Sequence, residues 1–341
     1  MQTLAKGPVS NLPTRRKPGL KAVYDGREQR LKGKFTRLTP RIGLFLLSSF
    51  LLLVVVYGVF SKRSLDKEKN DLLAKQRAVE KTLGPEWFPL REKLEKLTTE
   101  TARQWPGDWL DAEASRVDFR TQPIIYLRLR VAEAKDPESL RDHARKSVKD
   151  GFAGCMFKGN TSLVTGPDGG PVTITQDNAV EIASRGLADV WNLRQAYAAT
   201  RVLTEPWVAE VKDSPDDLRL RVFTQQFDKA TREEIPLAVN VVKRAQYFFL
   251  VLDEDDAAAV EKVDGGAITM EALQLVPHDA RVRVWNLRTG AEIARMKRRG
   301  DASFRFVGEQ LTSDRESLEA AQRQVNNCAL ANRVKEALGL K

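Results

Sequence analysis

Residues 42–60 read IGLFLLSSFLLLVVVYGVF, a run of nineteen residues without a charge. As an α-helix this run rises about 28 Å, which is close to the hydrocarbon thickness of a bilayer. Fourteen of its residues are Leu, Ile, Val or Phe, so insertion into lipid is favourable. We therefore predict a transmembrane helix over residues 41–62. The alternative, a buried helix in a folded core, is usually shorter and rarely free of charge for this length.

The basic residues around this run predict its orientation. Residues 1–41 contain eleven Lys or Arg and two acidic residues, with Arg37 and Arg41 nearest to the run. Lys62 and Arg63 follow the run, but acidic residues accompany the basic ones on that side. Because positive flanks are retained in the cytoplasm, we expect a cytoplasmic N-terminus and a periplasmic or extracellular C-terminal domain. The predicted location is a cell inner membrane that the chain crosses once.

A cleaved signal peptide is an alternative interpretation of the same run. The charged leader of about 40 residues and the apolar run of 19 are both longer than the usual signal-peptide pattern. Under either interpretation, the residues that follow the run are exported from the cytoplasm.

The net charge of +10 is concentrated in the N-terminal tail. Residues 1–41 carry +9 of it, so the other 300 residues are close to neutral. A near-neutral domain lacks the basic surface that phosphate backbones attract. We therefore expect no nucleic acid among the partners.

Residues 1–40 are polar, contain four prolines and lack apolar periodicity. This composition predicts a disordered cytoplasmic tail. Its basic residues could bind anionic lipid or an acidic cytoplasmic protein. Alternatively, they only set the orientation of the span, and the sequence favours this simpler interpretation.

Residues 63–105 are rich in charge and in helix-forming residues. Gly84 and Pro85 predict a hinge at 84–85 that divides this segment into two helices. The second helix has apolar residues at three- and four-residue spacing, namely Trp87, Leu90, Leu94 and Leu97. One interpretation is a stalk that self-associates as a coiled coil. The other is that the second helix packs against the domain, and both remain open.

Residues 106–341 predict a mixed α/β (α+β) extracytoplasmic domain on the stalk. Alternating or continuous apolar runs predict strands at 124–131 (with one solvated face), 218–227, 247–252, 280–286 and 292–297. Capping signals and apolar stripes predict helices from Asp136 to about 149, at 176–203, from 231–234 to 244, and after 313–316. The order of strand, helix and strand over 218–252 is typical of a βαβ unit.

The two cysteines of the chain, Cys155 and Cys328, both belong to the predicted outer domain. An oxidising compartment would permit one disulfide between them. Two buried free thiols are the alternative. The spacing of Cys328 with the apolar residues of the terminal helix predicts that it faces the core.

An acidic cluster, Asp253 to Asp256, directly follows the predicted buried strand. Carboxylates at the end of a strand are frequent metal or substrate ligands, so Asp253, Asp255 and Asp256 form a candidate metal or hydrolytic site. However, consecutive residues point in different directions, and an alanine-rich segment follows. The pattern therefore favours a helix cap over a metal site.

The remaining residue patterns contain no convergent catalytic set. The two histidines, His143 and His278, have no metal ligand at an appropriate spacing, and no phosphate-binding loop or nucleophile elbow is present. The basic run 295–299 is typical of a solvated sheet edge. No cofactor is predicted, and the catalytic residues stay unknown.

We therefore expect a non-catalytic scaffold, accessory or sensing subunit of a cell-envelope assembly. Its expected partners are the lipid bilayer and envelope proteins. A membrane-tethered hydrolase that uses residues 253–256 is the alternative function.

Overall fold

The computed structural model describes residues 40–119, 122–147, 151–157, 172–174, 193–255, 268–302, 304–306 and 315–340. The α-helices in these ranges are α1 (Pro40–Arg103), α2 (Pro137–Lys146), α3 (Gly151–Phe157), α4 (Leu193–Ala199), α5 (Glu205–Lys212), α6 (Asp217–Lys229), α7 (Ile235–Arg244), α8 (Met270–Leu275) and α9 (Arg315–Leu338). The strands are β1 (Trp109–Leu110), β2 (Ile124–Arg130), β3 (Val172–Ile174), β4 (Tyr247–Asp253), β5 (His278–Asn286), β6 (Glu292–Gly300) and β7 (Phe304–Phe306). Short 3-10 turns occupy Ala114–Arg116, Val131–Ala134 and Thr200–Leu203.

Five strands form one mixed sheet in the order β1-β6-β5-β4-β2. β2 and β4 are parallel, whereas the other neighbouring pairs are antiparallel. β3 and β7 form a separate parallel pair. Helices and a mixed sheet together make an α+β fold, so the fold class predicted for the domain is confirmed at this level.

Helices cover both faces of the five-stranded sheet. On one face, Tyr126, Phe249 and Val282 belong to a core cluster with α3 and α9. On the other face, Arg281 and Arg283 of β5 donate hydrogen bonds to the end of α1, and α4 contacts β2. The sheet is therefore the middle of three layers.

The chain divides into two units, residues 1–67 and 68–341. Residues 68–103 of α1 therefore belong to the same unit as the sheet, and Leu72, Trp87 and Leu94 are buried. This unit begins at Glu68, before the predicted domain boundary at residue 106. The burial of Trp87 and Leu94 favours the interpretation that the second stalk helix packs against the domain, and self-association of the stalk stays a prediction.

The hinge predicted at 84–85 is wrong, because α1 continues through Pro85 and Pro89. Both prolines are exposed. A proline has no N–H to donate to the carbonyl oxygen four residues before it, and the four-residue spacing of the two prolines puts both of these carbonyl groups on one solvated side of the helix. Trp87, on the opposite side, is buried. Packing of the Trp87 side against the domain maintains the helix at 84–85, where the local sequence predicts that it ends.

No helix in the described part of the chain is both long enough and apolar enough to cross a membrane. The predicted span 41–62 lies partly outside that part, because the side chains of residues 41–43, 55 and 57–61 are not described.

The segment predicted as a strand at 218–227 is the helix α6. Asp216 caps it by accepting a hydrogen bond from the Arg219 backbone N–H (2.8 Å). Leu220, Phe223 and Phe227 are buried at helical spacing. The alternation of Leu218, Leu220 and Val222 was misleading because the apolar pattern extends with a period of three to four residues.

Residues 231–234 do not cap a new helix. They belong to a π-helical turn, Ala230–Glu234, that joins α6 to α7, and Thr231 Oγ1 donates to the Phe227 carbonyl (2.8 Å). The βαβ unit predicted over 218–252 is therefore wrong. The parallel neighbour of β4 is β2, which precedes it by more than a hundred residues.

Several local predictions are confirmed. β4 is buried along its whole length, the strands predicted at 280–286 and 292–297 are β5 and β6, Asp136 caps α2, and the terminal helix buries Leu318, Val325 and Cys328. The strand at 124–131 is confirmed as β2, but it has no solvated face, because all its residues up to Leu129 are buried. The predicted helix residues 176–192 and the capping residues 313–314 lie outside the described residues.

Candidate functional site: a buried charged cluster and its cleft

Arg128 of β2 and Asp253 of β4 form an ion pair inside the core. Arg128 Nε donates to Asp253 Oδ2 (2.7 Å), and Arg128 Nη2 donates to Oδ1 (2.9 Å). The two side chains are 2% and 0% exposed. A planar guanidinium satisfies both carboxylate oxygens at once, and this geometry compensates part of the cost of burying the two charges.

His278, at the start of β5, contacts the same carboxylate. Its Nε2 lies 3.1 Å from Asp253 Oδ1, and its Nδ1 lies 2.8 Å from the Val276 carbonyl oxygen. The side chain is buried. Each ring nitrogen therefore faces an oxygen acceptor, and the imidazole connects β4 to the start of β5.

Two amide side chains complete the cluster from the neighbouring helices. Asn327 of α9 accepts a hydrogen bond from Arg128 Nη1 (2.7 Å) and donates from Nδ2 to Gln274 Oε1 (3.1 Å). Gln274 belongs to α8. The cluster thereby links the sheet to α8 and α9 through buried hydrogen bonds.

The surroundings of Asp253 keep its carboxyl group ionised. Burial alone raises the pKa of Asp253, but the charge of Arg128 and the hydrogen bond with His278 outweigh it and lower the pKa to about 2. Both carboxylate oxygens already accept hydrogen bonds. The geometry therefore suits a structural anion better than a general base.

A cleft of about 210 Å³ lies beside the cluster, at the end of β2. Its lining includes Arg128, Arg130 and Glu133. Arg130 Nε donates to Glu133 Oε1 (2.9 Å), and Arg130 Nη1 donates to Asp255 Oδ1 (3.2 Å). The cleft is smaller than the roughly 300–1,000 Å³ of typical ligand pockets.

The other described acids of the predicted cluster also pair with cations. Glu254 accepts hydrogen bonds from Arg281 Nε (2.7 Å) and from Lys297 Nζ. Burial raises the pKa of Glu254, but these two hydrogen bonds outweigh it and lower the pKa. Asp255 pairs with Arg130, as described above, and Asp256 lies outside the described residues.

Within the described ranges, no group of three or more His, Cys, Asp or Glu residues could hold a metal ion. Asp253 and Asp255 contact different arginines, so they do not converge as the candidate metal site required. The predicted helix after the acidic cluster begins in residues that the structure does not describe.

The basic run 295–299 belongs to β6 and is largely neutralised. Lys297 pairs with Glu254, Arg298 Nη1 donates to Asp108 Oδ2 (2.7 Å), and Arg299 lies 3.6 Å from Asp279. β1 pairs with β6 at Arg295. The prediction of a solvated sheet edge is therefore wrong at that residue.

Cys155 of α3 and Cys328 of α9 form a disulfide, with their Cα atoms 5.2 Å apart. The bond joins residues that are 173 positions apart in the chain. Gln324 Nε2 lies 3.3 Å from the Cys328 sulfur. Of the two alternatives left open by the sequence, the structure contains the bridge.

Among the remaining predicted residues, His143 lines the cleft beside the cluster, and its Nε2 lies 3.9 Å from Glu133 Oε1. His143 of α2 is partly exposed, and its Nδ1 lies 2.8 Å from the Ser139 carbonyl oxygen. Lys62 and Arg63 are exposed on α1. Arg37 and the side chain of Arg41 lie outside the described residues.

Sequence reasoning missed the association of Arg128, Asp253 and His278. Arg128 and Asp253 are 125 residues apart, so no local spacing connects them. One signal was present, since Arg128 stands between the apolar residues 124–127 and Leu129, and an arginine enclosed in this way should be buried beside an acid. The acid at the end of the neighbouring buried strand was the candidate.

No family model, curated protein or solved structure matches this chain.

Proposed function

We propose that this chain is a non-catalytic scaffold, accessory or sensing subunit of a cell-envelope assembly, anchored once in the inner membrane. Its N-terminal tail lies in the cytoplasm, and the domain from Glu68 onward lies in the periplasm or outside the cell. The partners are the lipid bilayer and envelope proteins.

The disulfide between Cys155 and Cys328 carries this proposal. Disulfides persist in oxidising compartments and are rare in the cytosol of most organisms. Both cysteines are fully buried, and no other cysteine occurs in the sequence. A bridge that closes the core of the domain therefore favours export.

The apolar residues of α1 that precede the domain support a membrane anchor. Ten large apolar side chains between Leu44 and Val56 are exposed, including Leu44 at 72% and Phe45 at 69%. Exposed apolar surface of this extent is costly in water and favourable in lipid.

The paired charges of the domain support a non-catalytic role. Asp253, Glu254 and Asp255 each accept hydrogen bonds from arginine, lysine or histidine, as described above. The hydrolase alternative uses the cluster 253–256, and these contacts occupy the three carboxylates of that cluster that the structure describes, which disfavours it.

A topology experiment tests the anchor and the exported domain. The full chain, with a tag after Lys341, is expressed in a bacterium, and protease is added to intact spheroplasts. We expect the tag to be cleaved and the chain to stay with the membranes in alkali. A deletion of residues 2–36 that preserves Arg37 and Arg41 is the matched control and should keep the same orientation. A protected tag, or release by alkali, contradicts the proposal.

Crosslinking in membranes tests the scaffold function. The tagged chain is crosslinked in intact cells, purified and analysed by mass spectrometry, and each captured protein is tagged for the reciprocal capture. We expect envelope proteins to be captured in both directions. Absence of reciprocal capture at several crosslinker concentrations contradicts a scaffold.

A further inference from the structure

A groove of about 640 Å³ lies between α1, α2 and the segment from α4 to α5. Its lining combines aromatic, aliphatic and charged side chains, among them Phe88, Arg91, Arg141, Tyr197, Leu203 and Pro206. The volume lies within the roughly 300–1,000 Å³ of small-ligand pockets. This groove is distinct from the cleft beside Arg128.

A buried carboxylate, Glu95, lies beneath two of the lining residues. Arg141 donates to it from Nε (2.8 Å) and Nη2 (2.7 Å), and the Tyr197 hydroxyl donates at 3.4 Å. Burial and the charge of Glu95 raise the pKa of Tyr197 well above its ordinary value, so the phenol stays protonated as a donor. Glu95 therefore satisfies Arg141 with two hydrogen bonds.

Arg91, on the next turn of α1, is not satisfied in the same way. Its Nε lies 3.4 Å from Glu95 Oε1 but is buried without a hydrogen bond to any described residue. Its guanidinium carbon lies 4.9 Å from the centre of the Phe88 ring. The side chain is only 16% exposed, so its charge is held in place beside the groove. Glu95 carries one negative charge but faces two guanidinium groups, those of Arg91 and Arg141, so a second carboxylate in the groove would balance the charge of Arg91.

The other charges of the groove are mostly paired, and those that are not are acidic. Arg145 pairs with Asp142, and Arg201 donates twice to Glu210 (2.6 Å each). Glu138 and Glu205 also line the groove, are exposed, and form no ion pair or hydrogen bond with a described residue. We name these two residues the acidic rim.

A further lining carboxylate, Glu80, accepts a hydrogen bond from Gln76 (3.1 Å). The lining as a whole therefore carries as many acidic as basic side chains. A simple polyanion would be repelled by the acidic rim. A ligand with one negative and one positive end matches both Arg91 and the acidic rim.

We propose that the groove binds a short peptide with free ends. Its terminal carboxylate pairs with Arg91, and its terminal ammonium group faces the acidic rim. Apolar side chains of the peptide contact Phe88, Leu203 and Pro206. Capture of charged peptide ends in a partly apolar pocket is a recurring mode of recognition. The inference does not depend on the membrane anchor.

Calorimetry with the full-length chain in a mild detergent tests this proposal. The probe is the tripeptide Ala-Leu-Ala, compared with its N-acetylated and its C-amidated forms. We expect saturable binding of the free peptide, at least tenfold weaker binding after amidation, and several-fold weaker binding after acetylation. Absence of saturable binding, or equal affinity of the free and amidated peptides, overturns the proposal.

Two variants assign the ends of the peptide. Arg91→Met should weaken binding of the free peptide at least tenfold. Arg77 is an exposed arginine on the same helix, and Arg77→Met should change the affinity for the free peptide less than twofold. The exposed pair Glu138→Gln and Glu205→Gln should weaken the free peptide but not its acetylated form. Because this rim variant removes no buried contact, it tests the site even if Arg91→Met unfolds. Unchanged binding by the rim variant overturns the assignment.

Discussion

Arg128 and Asp253 are 125 residues apart in the chain, yet two hydrogen bonds of 2.7 and 2.9 Å join them inside the core. The pair connects the two parallel strands of the sheet and, through Asn327, the terminal helix. One buried charge pair therefore connects three elements that are distant in the sequence.

Removing one member of this pair should strongly destabilise the fold. Arg128→Met leaves the Asp253 carboxylate buried without its guanidinium, which costs about 3–5 kcal/mol of unfolding free energy. Urea denaturation measures the loss. The exposed Arg288→Met is the control and should change stability by less than about 0.5 kcal/mol. A similar small change for Arg128→Met would contradict a role in stability.

Adding Asp253→Leu to Arg128→Met should restore part of this stability. The double variant no longer buries an unpaired charge, so it should be more stable than Arg128→Met alone. The same urea measurement tests this, and a double variant that loses the sum of the two single changes would argue against coupling.

The pKa of Asp253 predicts an acid-dependent loss of stability. It falls from the ordinary 3.8 to about 2 in the folded chain. Because the pKa is lower in the folded chain than in the unfolded chain, the carboxylate contributes its full stabilisation at a pH above the ordinary pKa. This contribution disappears as the pH falls from about 4 through 2. The shift corresponds to about 2 kcal/mol. We expect the difference in unfolding free energy between the wild type and Asp253→Asn to shrink over this range, and a constant difference would refute the assignment.

The disulfide should make a large contribution to stability. Replacing both Cys155 and Cys328 by Ala removes a constraint on a loop of 173 residues and should lower the unfolding free energy by about 2–5 kcal/mol. Thermal unfolding under oxidising conditions measures this difference. Thiol titration of the denatured wild type should find no free thiol, and two reactive thiols would show that the bridge does not form.

Two leucines distinguish the helix α6 from the strand that the local pattern predicted. Leu218 is 75% exposed and Leu220 is 2% exposed, although the strand pattern placed both inward. Leu218→Ala should therefore change the unfolding free energy by less than about 0.5 kcal/mol, and Leu220→Ala should cost about 2–5 kcal/mol. Chemical denaturation compares them, and equal losses would favour the strand.

The elements that were predicted correctly are those whose determining residues lie within a short stretch of the sequence. The continuous apolar residues from Tyr247 to Leu252 predict a buried strand, Gly290 adopts the positive φ (75°) of the hairpin turn, and the spacing of Leu318 and Val325 predicts the core face of α9. The elements that it missed lie where two local signals compete. At Pro85 the local signal predicts that the helix ends, but packing keeps it continuous. At Leu218 the alternating pattern predicts a strand, but the helix cap and the longer apolar period produce the helix α6.

The sequence by itself determined the mixed α+β composition, the placement of charge in the N-terminal tail and the charge-free run from which we infer a membrane anchor. Only the tertiary structure decided that α1 belongs to the domain from Glu68 onward, that Cys155 meets Cys328, and that Arg128 neutralises Asp253. The reason is physical. Propensity and periodicity act over a few residues, whereas the pairing of a buried charge depends on which distant side chain the packed sheet brings beside it.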